Sequence, residues 1–253
     1  MSFFERLKVA GVRQTGAHAP RAVHPANASG MPTIPMAPPI RVPALVASVP
    51  AAHSARVSNG LKEFLSYLDG IGRGCLLDLG PVWQQTVGFF VDRGFKVYSE
   101  DLLGEWKEFL DQESEKVRAV PLGDSDLDRR PPARAERFLE TVLRQPAGTL
   151  DAVLVWDLLD YFDQALVERI VARLTSLVRE GGVVLAMFHS RPPESFKRYR
   201  VLDGHHLDVV SASATFAHQH VYHNREILNL FSRFRSSKSF VGRDQIREGL
   251  FIK

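Results

Sequence analysis

From Ser58 to the C-terminus, short continuous apolar runs alternate with stretches of helical period. Leu76, Leu77 and Leu79 form one run, closed by Gly80-Pro81. Leu150 to Trp156 (LDAVLVW) and Val183 to Phe188 (VVLAMF) form two more. Runs this short, bounded by turn residues, suit parallel strands buried on both faces. Lys96 to Ser99 and Val117 to Leu122 read as further strands. Leu61, Phe64, Leu65 and Leu68 fall at i, i+3, i+4 and i+7, which predicts an amphipathic helix capped by Ser58 or Asn59. Helices are also predicted over 86–93 (Val87, Phe90 and Val91 apolar, Gly94 as the stop), 103–112, 133–143, 166–178 and 225–234.

Strands alternating with helices at this spacing predict an α/β fold, a Rossmann-like, doubly wound, mostly parallel sheet. The end of the chain breaks the alternation. Ser237 to Val241 and Glu248 to Ile252 are strand-like, and the GRDQIR between them leaves no room for a helix. They should pair as an antiparallel hairpin.

Composition separates this domain, residues 56–253, from what precedes it. Residues 14–55 hold eight of the fifteen prolines and no acid. Such a stretch cannot bury a core and reads as a disordered Pro/Ala-rich linker, giving a tail over 1–55. Residues 2–12 have the pattern of a short amphipathic helix, able to meet a partner or a membrane surface, but marginal alone at that length. The proline density argues against a transit peptide, and the start lacks the apolar core of a secretory signal. Residues 1–60 carry a net charge of +5 and the remainder −2. The sequence pI near 9.1 therefore belongs to the tail. With no folded basic face, no nucleic-acid partner is expected. No apolar run approaches the roughly 20 residues of a membrane span. Cys75, the single cysteine, excludes an internal disulfide and reads as a core thiol. These features fit a cytoplasmic enzyme.

Acidic residues stand where the predicted strands end: Asp78, then Glu100-Asp101, then Asp157. His189 follows the VVLAMF strand. In open α/β sheets ligands bind beyond these C-terminal strand ends. The order of LLDLG, the acids after the next strand, DAVLVWDLLDYF, REGGVVLAMF and the terminal hairpin resembles the class I S-adenosylmethionine-dependent methyltransferases over roughly residues 58–253. The resemblance implies S-adenosylmethionine as cofactor. It places Asp78, Gly80 and Val82 at the turn that holds it, and Glu100 or Asp101 on its ribose hydroxyls. It also sets Asp157 beside the transferring methyl and REGG at the turn before the next strand. The sulfonium already carries an activated methyl, so the protein's task is alignment and exclusion of water. Asp157, Asp160 and His189 are the candidate bases for an acceptor that must lose a proton. Trp156 and Tyr161 are candidates for the pocket wall, Trp156 equally for the core.

The turn departs from the family. Val82 and Gln84 stand at the usual second and third glycines, with Pro81 and Trp83 beside them. A β-branched Val resists both close ligand approach and positive φ. Three readings follow: the cofactor sits differently, binds weakly, or the pocket holds something else; the competing function is a catalytically inactive binding or scaffold protein that has lost cofactor use. Nicotinamide chemistry is disfavoured because GPVWQQ lacks the G-x-G-x-x-G turn.

The acceptor is expected to be a small molecule, since no Asn-Pro-Pro-Tyr-type motif for base methylation is present. Arg191 to Arg200 reads as a solvated basic face or a contact for an anionic acceptor. His205, His206, His218, His220 and His223 lie between the fifth strand and the last helix. No carboxylate or cysteine completes a recognisable ligand spacing around them, so no metal is assigned. They read as an insertion covering the pocket. The sequence carries no signal for oligomeric state.

Overall fold

A computed structural model describes residues 53–119 and 130–253. The expected helix at 2–12, most of the proline-rich tail, the last residues of the strand expected over 117–122 and most of the following polar loop lie outside them.

The described chain runs β1 (His53–Val57), α1 (Asn59–Leu68), β2 (Gly74–Asp78), α2 (Gln84–Val91), β3 (Phe95–Ser99), α3 (Leu102–Ala119) and α4 (Pro131–Thr141). It continues through β4 (Leu150–Val155), a 3-10 turn (Asp157–Tyr161), α5 (Gln164–Leu177), β5 (Val178–His189), β6 (Phe196–Val201) and β7 (His206–Ala212). It closes with α6 (Asn224–Leu230), β8 (Ser236–Val241) and β9 (Ile246–Ile252). The main sheet has the order β3-β2-β4-β5-β9-β8. Its first four strands are parallel, and β9 runs antiparallel to both β5 and β8. This is the Rossmann-like, mostly parallel sheet with a C-terminal antiparallel hairpin that the pattern predicted.

Side chains on the central strands alternate between two cores, as the two-residue period of a strand requires. Leu77, Val153, Val155, Val184 and Phe188 face a core shared with α3, α4 and α5. Leu76, Leu154, Leu185 and Met187 face the other, shared with α1 and the second sheet. Ser58 caps α1 by accepting from the Leu61 amide at 3.0 Å, one of the two caps expected.

Several boundaries differ from the pattern. Val117 to Ala119, expected to open a strand, continue α3. The REGG segment is an irregularity inside β5, where register with β4 shifts between Leu150 and Ala152 and Gly181 takes φ 76°. The last helix stops at Leu230, short of Phe234, and Phe231 instead stacks on Phe251 with ring centroids 3.9 Å apart.

The largest difference is a second, three-stranded antiparallel sheet of order β1-β7-β6. Residues 53–55, expected in the tail, pair in β1 with β7, and the basic 191–200 stretch contributes β6. Short polar strands such as FKRYRV lack a distinctive period, because their alternate residues meet a core supplied by distant elements. Arg56 of β1 is buried and ion-paired to Asp244 and Glu248, which fastens the small sheet to the hairpin.

Candidate active site at the C-terminal sheet edge

The main sheet changes winding direction between β2 and β4, and side chains from the C-terminal ends of β2, β4 and β5 gather there with β6. The Asp78 carboxylate, 1% exposed, accepts from the Gly80 amide at 3.1 Å and the Trp156 indole at 2.7 Å through one oxygen. Burial raises its pKa from 3.8 to about 6, against the lowering effect of those two donors. Gly80 is required by packing: a Cβ there would come within 2.7 Å of the Trp156 ring. Trp156 in turn stacks on Tyr199 of β6 at 5.7 Å.

Asp101 caps α3, accepting from the Gly104 amide at 3.2 Å, and its second oxygen accepts from Arg198 Nη1 at 3.2 Å. Glu100 turns the other way and accepts from the Leu143 amide and Gln145 Nε2. Val82 is 68% exposed. Of the residues the resemblance assigns to the cofactor, Gly80, Asp101 and Asp157 line one crevice together with Trp156, Arg198 and Tyr199. Asp78, Val82 and Glu100 do not line it: Asp78 is buried beneath Gly80 and Trp156, Val82 is turned to solvent, and Glu100 braces the loop after α4. The backbone of β6 is held over the crevice by Val201, whose amide donates to the buried Thr86 hydroxyl at 3.0 Å.

Beside this crevice lies a second cluster. Asp157 opens the 3-10 turn and accepts from the Tyr199 hydroxyl at 3.0 Å. Burial raises its pKa to about 6, opposed chiefly by His189. His189, the last residue of β5, is 4% exposed. Asp160 Oδ2 accepts from its main-chain amide at 2.7 Å and meets its Nδ1 at 2.8 Å. Its Nε2 stands 3.3 Å from Asp157 Oδ2. Burial raises the Asp160 pKa as well. Asp157, Asp160 and His189, the three candidate bases, thus share one buried group. An imidazole whose Nδ1 is fixed by a carboxylate presents Nε2 for proton transfer or ligation.

Tyr161 borders this cluster, its ring edge-on to His189 at 6.3 Å and to His218 at 5.5 Å. The other histidines separate: His205 and His206 stand at the outer end of β7 around Asp203, and His220 pairs with Glu226. The 205–223 segment contributes no residue to the crevice lining, which Arg198 and Tyr199 of β6 cover instead. Sequence reasoning met Arg198 only as part of the basic 191–200 stretch and gave Tyr199 no role, since neither carries a motif. A buried tyrosine at alternation with Val201 was their only signal.

The strand order and the terminal hairpin define a Rossmann-like, doubly wound sheet that ends in an antiparallel pair. No protein-family model matches the chain, and no curated protein matches it. Among solved structures it is similar to the Burkholderia thailandensis 1,6-didemethyltoxoflavin-N1-methyltransferase, at 15% identity and TM-score 0.40, over 77% of this chain and 78% of that one. A SAM-dependent methyltransferase from Aquifex aeolicus aligns at 11% identity and TM-score 0.41, over 78% and 90% of the two chains. One from Methanosarcina mazei aligns at 15% and 0.41, over 75% and 94%. TM-scores this low leave the assignment of fold to the strand order itself.

Space decides how S-adenosylmethionine relates to this site. The crevice has a cavity volume of ≈ 20 Å³. That is room for about one water molecule, where ligand pockets run to roughly 300–1,000 Å³. With β6 in place the cofactor does not fit, and the Asp78 and Asp101 carboxylates already hold protein donors.

Proposed function

We propose that this domain is an S-adenosylmethionine-dependent methyltransferase acting on a small-molecule acceptor in the cytoplasm. One observation carries the reading: Gly80, Asp101 and Asp157, from three separate strand ends, meet at one crevice at the switch of the sheet. That convergence is what the family resemblance requires of these positions. Among the described residues no helix is long and apolar enough to cross a membrane.

When bound, the cofactor supplies an activated methyl. Cofactor entry on this reading requires β6 to withdraw, releasing Asp101 from Arg198 and Trp156 from Tyr199. Asp157 and His189 would then serve as the proton-handling groups, with Asp160 fixing the imidazole. A second reading has its own observation: a crevice with room for one water favours a domain that keeps the fold without cofactor use.

Calorimetry with S-adenosylmethionine and S-adenosylhomocysteine separates the two. The first reading expects saturable binding to the wild-type chain. It also expects about tenfold tighter binding to Arg198→Ala, which removes a competing partner of Asp101 worth about 1.4 kcal/mol. No binding of either compound to either protein at millimolar concentration would leave only the second.

A further inference from the structure

The group around Asp160 contains more than a base and its orienting partner. Asp160, His189 and His218 come from the 3-10 turn, the end of β5 and the loop before α6. Each brings one ligating atom to within 4.8 Å of the others. Three buried atoms in this cluster have no hydrogen-bond partner: Asp160 Oδ1, His189 Nε2 and His218 Nε2. Leaving one such atom unsatisfied costs about 1–3 kcal/mol. In a site where Asp160 is 0% and His189 4% exposed, such atoms call for partners.

The available lone pairs specify one of them. Asp160 Oδ2 already accepts from the His189 main chain and faces Nδ1. A metal ion on His189 Nδ1 and the Asp160 carboxylate takes the place of the proton between them and leaves the ring proton on Nε2, which Asp157 Oδ2 faces at 3.3 Å. A carboxylate holding one ring nitrogen of histidine while the other ligates is the usual support of a metal-bound imidazole. The loop carrying His218 is tied to the same aspartate, since the amides of Gln219 and His220 both donate to the Asp160 carbonyl, at 2.8 and 3.2 Å.

We propose that Asp160, His189 and His218 bind one divalent transition-metal ion of the zinc or ferrous type. Two imidazoles and a carboxylate suit these ions, whereas calcium and magnesium select all-oxygen shells. Bond lengths near 2.1 Å bring tetrahedral ligands to about 3.4 Å from one another, so binding draws the cluster together. The partly exposed loop of His218 is the arm free to close. The proposal does not depend on S-adenosylmethionine. The sequence pattern missed it because its acidic ligand precedes the first histidine by 29 residues, outside any short spacing.

The test is titration of the full chain, stripped with a chelator, with zinc chloride alone and with cobalt chloride alone. Calorimetry is expected to give one equivalent per chain, and cobalt the intense visible bands of a four- or five-coordinate site. His218→Ala should weaken zinc binding by about 10–100-fold, whereas His206→Ala, on the exposed Asp203–His206 pair, should leave it unchanged. Circular dichroism verifies that both variants fold, and the wild-type cobalt spectrum stands without them. No saturable binding, unaltered affinity in His218→Ala, or loss of the site in His206→Ala would each overturn the proposal.

Discussion

Two groups of polar residues sit side by side on the C-terminal edge of one sheet and differ in how their hydrogen bonds are satisfied. Around Asp78 and Asp101 the partners are all protein: the Gly80 amide, the Trp156 indole, the Gly104 amide and Arg198. Around Asp160 and His189 a carboxylate oxygen and two ring nitrogens lack a partner. The first group behaves as a finished piece of core, into which a ligand enters only by displacing a protein contact. The second is pre-organised by the fold yet incomplete, which is the state of a site built for a ligand. Buried polar atoms are usually satisfied, so the exceptions carry the information.

The comparison breaks most readily at Tyr199. It is a large, fully buried side chain stacked on Trp156, so Tyr199→Ala should lower unfolding free energy by about 3–5 kcal/mol in urea denaturation. A loss below about 1 kcal/mol would mean that the crevice is loosely filled and that β6 is a lid. Trp156→Phe keeps an aromatic ring but removes the donor to buried Asp78, and should cost about 1–3 kcal/mol. An unchanged stability would show that Asp78 finds another donor, solvent included.

The smallest effect is electrostatic. Asp157 is held at about 6 in the folded chain against 3.8 ordinarily. Between those values the folded state binds the extra proton, so this group makes stability fall as pH rises. Asp157→Asn removes that contribution. Its stability relative to wild type should therefore climb from pH 4 to pH 6 and level off above, as measured by urea unfolding across the range. A difference that stays flat would place Asp157 in a solvated setting and detach it from the buried cluster.

Much of the fold was legible because its main strands are buried on both faces. LLDL, LDAVLV and VVLAMF have no solvent side, so they stand out as unbroken apolar runs. The hairpin was legible from the short spacing between two strand-like segments. The small sheet was not, since FKRYRV and HLDVVSA mix polar and apolar residues and acquire a hydrophobic face only against α1 and α2. At the site, Asp78, Asp101, Asp157 and His189 were found because each follows a recognisable strand. Arg198 and Tyr199 were hidden in a strand without a motif. His218 was singled out, but its carboxylate partner lay in another element.

The sequence by itself determined the order of the main-sheet strands and the helices packed on them, the acids at the strand ends and the glycine-poor turn PVWQQT. Local pattern suffices there, because periodicity and strand termination depend on neighbouring residues. Only the tertiary structure decided what those acids touch. Gly80 serves Trp156, Asp101 is held by Arg198, and Asp160 brings together two histidines 29 residues apart in the chain. Such pairings depend on how β6 and the loop before α6 fold back over the sheet, and nothing in the spacing of residues along the chain encodes that return.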